Sequence, residues 1–477
     1  MTIESAAPAH LATLATAPAE RLRELCGGIT IHVPGDPGYD AARMPWNVAV
    51  DQRPAAVAFP VATDEFSAVV RAAADVGLRV APQGTGHNAG PLGSLADVVL
   101  LRTSEMTDVQ IDPVRRSARV GAGVLWEAVV NAAAEHDLAA LHGSSPDVGV
   151  VGYSLGGGIG WYARELGMAT NSVVGVDLVL GDGTPLRADA DTNPEVFWAV
   201  RGGGGNFGVV TAMEFTLYDI QTAYAGFMIW DQDHAARVLR AYAAWTETAP
   251  DCISTSFRMM NLPPMEELPP FLRGRQIVMI NGAVHADDDV AQAILADLRA
   301  LEPEMDTFAR VPAVSLSRLH MDPEGPTPAV TASTMVAELS DAAIESFIAL
   351  TGRGSGSTLL IAELRQLGGA LGRPAEGAGA LPMLDGRFAL LGVAVAATPE
   401  MAARGQADAN ALVDAMKAYS SGRDYLNFAE HSVDVSKSYP AETWLRLKGI
   451  RSAVDSHGTL LANHPVPRLY ENGQPTR

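Results

Sequence analysis

Apolar positions change period along the chain, and each change predicts an element. Residues 1–24 form an alanine-rich arm expected to fray, with an amphipathic pattern over 19–29 that Gly27 and Gly28 stop. The run 56–60 predicts a strand, Asp64 is placed to cap a helix over 65–76, and 78–80 returns as a strand. Runs 98–101, 108–112 and 117–121 predict further strands, and 124–135 and 194–200 predict helices. From 219 the texture changes. Strand patterns at 224–230, 253–260, 276–284, 333–338, 357–366 and 387–397 alternate with helical patterns at 234–249, 287–301, 340–352 and 399–419. Such an order describes a separate α+β unit over 219–424, one sheet with helices on a face and its other face free to cover a site. Short elements and a helix over 440–453 follow in 425–477.

A chain of 477 residues, 48% hydrophobic, can build two or three well-buried domains. Its 34 basic and 55 acidic residues give a formal charge of -21, which repels phosphate backbones and anionic lipid and so excludes nucleic acid and membrane partners. Cys26 and Cys252 stand far apart without C-x-x-C spacing, so neither a disulfide framework nor a metal site is expected, and a reducing cytoplasm fits. No stretch approaches the roughly 18 to 20 consecutive apolar residues of a membrane span. The first twenty residues lack a basic segment followed by an apolar one, so a frayed arm is expected there instead of a signal peptide.

Glycine brings in the candidate chemistry. The loop 81–90 carries Gly84, Gly86 and Gly90 around His87. Its N–H groups can turn inward as a phosphate-binding nest. On local grounds His87 is open to four roles: base, metal ligand, loop hydrogen-bonding residue, or nucleophile that tethers a cofactor. A second patch, 142–160, holds seven glycines in nineteen residues, and a third spans 201–210. Flexible linkers pair glycine with serine or charge, whereas Val148, Val150, Val151, Leu155, Ile159, Val209 and Val210 belong in a core. Three such patches indicate one extended ligand lined by backbone. A dinucleotide fingerprint fails on the spacing Gly84-x-Gly86-x-x-x-Gly90 and on Pro91, which blocks the following helix. Ser154 in Gly152–Gly156 only imitates a nucleophile elbow, because Gly157 and Gly158 poorly support the helix that should follow.

The order of motifs is more specific. Trp46-Asn47, the His87 loop, 120–126, 142–167, 193–211 and Tyr425-x-Asn427 together resemble the berberine bridge enzyme-like flavoprotein oxidases, within the vanillyl alcohol oxidase and p-cresol methylhydroxylase (PCMH) superfamily. The resemblance implies a two-part PCMH-type FAD-binding domain, 25–218 with 425–477, under an α+β substrate domain, 219–424, with an antiparallel sheet covered by helices. It implies that Gln83, Gly84, Thr85, Gly86, His87 and Asn88 wrap the pyrophosphate. Gly143, Ser144, Val148, Gly149, Gly152, Tyr153, Gly156, Gly157 and Gly160 would line the flavin, Val209 or Val210 would seat the adenine half, and Asn427 would reach the pyrimidine. His87 matches the family histidine bonded to the flavin 8α carbon. Two departures follow. Ser145 stands where many members carry a second, cysteinyl tether, which implies a single histidyl bond, and Phe428 stands where many carry a tyrosine base. Val148, a small residue, is compatible with oxygen reaching the flavin. The expected partners are thus a small-molecule substrate and molecular oxygen.

A base must then come from elsewhere. Glu363, on the strand 358–366, is one candidate, with Gln366 as a hydrogen-bonding partner. The alternative is a salt bridge from Glu363 to Arg365 on a solvated face. Tyr153 is a second candidate, and His142 and His431 are expected to be structural.

Overall fold

The computed structural model describes residues 9–266, 268–471 and 474–476, with side chains from residue 17 onward. Strands are numbered in chain order. β1 (Thr30–His32), β2 (Ala56–Phe59), β3 (Arg79–Gln83) and β4 (Val98–Arg102) form a sheet of order β1-β2-β4-β3, in which β2 and β3 run parallel to β4. The parallel strands are buried on both faces, which explains their continuous apolar runs. The helix Thr63–Asp75 crosses between β2 and β3 and buries Phe66, Val69, Val70 and Ala73. Asp64 does not cap it. The helix starts one residue earlier, at Thr63, after an extended Ala62 that makes no side-chain cap.

β5 (Val109–Asp112), β6 (Ser117–Gly121), β7 (Val173–Val179), β8 (Pro185–Asp189) and β9 (Val209–Thr216) form a second, antiparallel sheet of order β5-β6-β9-β7-β8. Val179 and Val209 reach from it into the core of the first sheet. The C-terminal stretch closes the same layer. Val80 of β3 donates to the Thr459 carbonyl at 2.7 Å and accepts from Leu461 N–H at 2.8 Å, so residues 459–461 extend the β3 edge. The arm expected to fray is instead helical over Ala9–Leu25 despite Pro18, and Ala19 and Leu22 pack into the first core; residues 1–8 lie outside the described residues.

An eight-stranded antiparallel sheet holds β10 (Thr222–Asp231), β11 (Ile253–Asn261), β12 (Gln276–Val284), β13 (Met305–Asp306), β14 (Ala309–Pro312), β15 (Ala329–Val336), β16 (Ile361–Gln366) and β17 (Phe388–Val395). Its path is β13-β10-β12-β11-β16-β17-β15, with β14 beside β10. The helices Ala235–Thr246, Asp288–Arg299, Asp341–Thr351 and Pro399–Met416 cover one face, burying Tyr242, Leu295, Phe347 and Leu412 against Phe257, Phe388 and Leu390. The opposite face of β15, β16 and β17 looks onto the glycine patches. No helix among the described residues is long and apolar enough to cross a membrane.

Candidate active site

Between the glycine patches and the uncovered sheet face lies a cavity of about 480 Å³. β3 delivers its first wall. At Gly86 the backbone turns through φ 85°, and an added Cβ would stand 2.7 Å from Pro45, so only glycine lets the loop pass here. His87 follows. Its Nδ1 lies 2.7 Å from Thr85 Oγ1, and its ring stacks on Trp46 with centroids 4.1 Å apart and planes inclined by 17°. Its Nε2 is buried without a hydrogen-bond partner and stands 3.8 Å from Asp147 Oδ1. Burial pushes the imidazole pKa down to about 4 against the opposing pull of Asp147, so His87 is neutral at neutral pH. Neutral imidazole keeps a nucleophilic lone pair. Trp46 is itself fixed by its Nε1 donating to Asp147 Oδ2 at 2.7 Å.

The second wall is the 143–156 segment. Its middle forms a short helix, Val150–Leu155, which the glycine-rich pattern did not predict. The backbone at Gly156 lies flush against Asn427, because an added Cβ would stand 1.9 Å from Asn427 Oδ1. Asn427 Nδ2 donates to the Tyr153 carbonyl at 2.9 Å and to Tyr425 Oη at 3.1 Å, tying the C-terminal segment to this wall.

Most of the expected cofactor residues meet in the cavity: Gln83, Gly84, Thr85, Gly86, His87, Asn88, Gly143, Ser144, Val148, Gly149, Gly152, Tyr153, Gly156, Val210 and Asn427 all line it. Four expected residues do not. Gly157 is buried behind the wall, Val209 is fully buried in the sheet core, and Gly160 and Gln366 line a small adjoining pocket. Gln366 accepts from Thr255 Oγ1 at 2.7 Å and leaves its own Nε2 unpaired.

Of the candidate bases, Glu363 lines the cavity but sits in an ion pair that leaves it a poor one. Glu363 Oε1 accepts from Arg365 Nε at 2.8 Å and from Ser256 Oγ at 2.7 Å. Burial would raise its pKa, yet Arg365, His320 and Arg258 outweigh burial and hold the carboxyl well below the usual range. The salt bridge to Arg365 therefore forms, on a buried face and not a solvated one. Tyr153 Oη is buried without a partner, and burial pushes its pKa well above 10.0.

Several residues of the site had been given no role in the sequence. Arg258 donates to the His320 carbonyl and to Asp322 Oδ1, and Arg258, Asp322 and Arg365 all line the cavity. Single charged residues on apolar strands carry no pattern that would mark them. Glu430 is another. Its Oε2 accepts from Asn47 Nδ2 at 3.3 Å, no cation pairs with it among the described residues, and burial pushes its pKa up to about 7 against the pull of that hydrogen bond. Its position two residues after Phe428 was the available signal.

A pH prediction follows from Glu430. Its folded pKa exceeds the 4.5 of an ordinary glutamate, so the folded state binds the extra proton between those values. Stability from this group is full below about 4.5 and is lost as pH rises to about 7. Glu430→Gln is expected to flatten the fall of the denaturant midpoint across that window. An unchanged slope in the variant would contradict the assignment.

The donors and gaps suit FAD. The polar atoms without partners include His87 Nε2, Asn88 Oδ1 and both ring nitrogens of His464, all on residues lining the cavity beside the glycine backbone. Among the described residues no group of three or more side chains could hold a metal ion.

A sequence profile described as the FAD binding domain matches residues 54–189. (R)-6-hydroxynicotine oxidase of Paenarthrobacter nicotinovorans is 36% identical over 198 residues, which cover 41% of this chain and 43% of that protein. The chain thus spans less than half the length of that curated relative. Among solved structures, wild-type Physcomitrella patens BBE-like 1 superposes with a TM-score of 0.82 at 21% identity, covering 94% of this chain and 100% of that one. Glucooligosaccharide oxidase from Acremonium strictum, described with a 6-S-cysteinyl, 8α-N1-histidyl FAD, has a TM-score of 0.79 at 20% identity, covering 94% and 100%. Residues 54–189 are thus an FAD binding domain, and the chain as a whole has the fold of BBE-like 1 and glucooligosaccharide oxidase.

Proposed function

We propose that the chain is an FAD-dependent oxidase that carries its flavin through a single bond to His87. Residues 25–218 with 425–477 form the flavin-binding half, and 219–424 the substrate half. The observation that carries this is His87 itself, neutral, stacked on Trp46 and presenting an unpaired Nε2 beside the glycine-lined cavity. Glucooligosaccharide oxidase, named with a histidyl and a cysteinyl link, supports the histidyl bond, and Ser145 in this chain supplies no thiol for the second.

Bound FAD would supply the redox chemistry, accepting a hydride from a C–H bond of a small organic substrate and returning the electrons to oxygen as hydrogen peroxide. The chain's own residues supply position. Gln83 to Asn88 would hold the pyrophosphate, the 143–156 backbone and Asn427 the ring system, and Val210 would back the adenine half. Glu363 orients Arg365 and does not take a proton. Glu430 is the cavity carboxyl that can exchange one near neutral pH.

The relatives named as nicotine and sugar oxidases support a role in tailoring natural products, alkaloids or sugars. Two free cysteines fit a cytoplasmic setting. A substrate screen that follows peroxide alongside reduction of an artificial acceptor tests the oxidase assignment. Peroxide in step with turnover is expected; acceptor reduction without peroxide indicates a dehydrogenase, whereas a product with a new ring or an added oxygen atom indicates an oxidative cyclase or a monooxygenase. Phe428 favours one rival, a flavin-holding protein without turnover, which would show stoichiometric bleaching only.

A further inference from the structure

The substrate-facing wall of the cavity can be read position by position from the strand register. Across β15, β17 and β16, Thr331 stands beside Val393 and Val393 beside Ile361, while Ser333 stands beside Leu391 and Leu391 beside Glu363. Along β17 the side chains alternate. Leu390 and Ala394 are buried against the helices, and Leu391, Val393 and Val395 are half-buried and face the cavity. Leu360 and Ile361 line it too, and Pro323 and Pro328 add apolar surface from the loop before β15. The middle of the wall is therefore an aliphatic strip. The four steps from Leu391 to Val395 make it about 13 Å long, and each neighbouring strand adds about 5 Å of width.

The charged groups Glu363, Arg365 and Arg258 lie at one end, and Thr331 flanks the strip beside Val393. Arg365 is held by Glu363 through its Nε, lies 5.4 Å over the Phe428 ring, and places Nη2 3.4 Å from His320 Nε2. Its Nη1 makes no hydrogen bond among the described residues. Arg365 is thus a fixed guanidinium with one donor left for the cavity.

We infer that the substrate is an apolar molecule, its body laid along Leu391, Val393, Val395 and Ile361 and a single acceptor oxygen, of a phenol, enol or carbonyl, placed at Arg365, and that it is not an oligosaccharide. A sugar ring carries hydroxyls around its whole rim, and each one removed from water needs a partner. Over a length greater than one ring the strip offers a single hydroxyl, Thr331 Oγ1 beside Val393, which is too few for a sugar's rim. An apolar body needs none, and it covers side chains that would otherwise face water. The donor at Arg365 fixes orientation, as a few polar groups do in an otherwise apolar site. This inference deepens the oxidase reading and rests on the same cavity.

Calorimetric titration of the purified protein as isolated tests it, with 4-phenylphenol, biphenyl and cellobiose as probes, after its flavin content has been measured separately. Expected is 4-phenylphenol binding at least 100-fold tighter than cellobiose. Leu391→Asn is expected to weaken 4-phenylphenol at least tenfold. Arg365→Gln is expected to weaken 4-phenylphenol but not biphenyl, which lacks the oxygen. Should Arg365→Gln unfold the protein, the wild-type comparison and Leu391→Asn still decide. Cellobiose binding as tightly as the phenol, or Leu391→Asn without effect, overturns the inference. A colourless protein would sink the flavin assignment instead, and the titration is read the same way in either case.

Discussion

His87→Ala is expected to yield a folded protein whose flavin leaves with the supernatant on acid denaturation, where the parent keeps it in the pellet. The expected loss of covalent flavin is complete. No thiol among the described residues is placed to replace His87. Ser145, at the second tether position, is a hydroxyl that donates to Asp147, and Cys26 and Cys252 do not line the cavity. The fold should survive, because the loop conformation depends on Gly86 and on the Trp46 N–H donating to the Thr85 carbonyl at 2.8 Å, and the lost ring stack is worth only about 0.5–1.5 kcal/mol. Intact mass and absorbance of the separated fractions decide it.

Arg164→Met is expected to produce the largest loss of stability of any single substitution considered, about 3–5 kcal/mol. Arg164 is buried and donates through Nε to the Leu367 carbonyl at 2.9 Å, through Nη1 to Pro250 at 2.7 Å and to Ile253, and through Nη2 to Ala249 at 3.1 Å. It stands in the short helix Ala163–Leu166 that follows the second glycine patch, and all four acceptors come from residues 249–253 and 367 around the eight-stranded sheet, so one side chain ties that patch to the sheet. Methionine fills similar volume but leaves four carbonyls without that donor. Arg164→Lys should fall between, since an ammonium can reach fewer of the four acceptors at once. Denaturant midpoints of the three proteins test the order. Equal midpoints for Arg164→Met and wild type would remove Arg164 as the tie.

The parts of this fold that show in the sequence are those with a strong local period. β10, β11 and β12 fall within a residue or two of their apolar runs, and the helices on their outer face within three, because one face of each must be apolar. The edges show less well. β15 begins at Ala329, four residues ahead of the pattern, because its early residues pair with β17 and face a cavity. The helix Val150–Leu155 was hidden by glycines at 149 and 152, which weaken any local helical signal but permit the close approach the wall needs. In the site, glycine spacing and His87 were legible because they are local. The Glu363–Arg365 ion pair joins residues two apart on one strand, but Arg258 reaches it only through the pairing of β11 with β16, and His320 and Asp322 only from the loop before β15. No linear spacing encodes that charge balance.

The central claim is that this cavity holds one FAD bonded to His87. Denaturing the wild-type protein in acid, separating pellet from supernatant, and mapping any flavin-bearing peptide tests it most directly. The account predicts a yellow pellet, one FAD of added mass, and a single modified peptide containing His87. Yellow supernatant, or a modified peptide that does not contain His87, would contradict it.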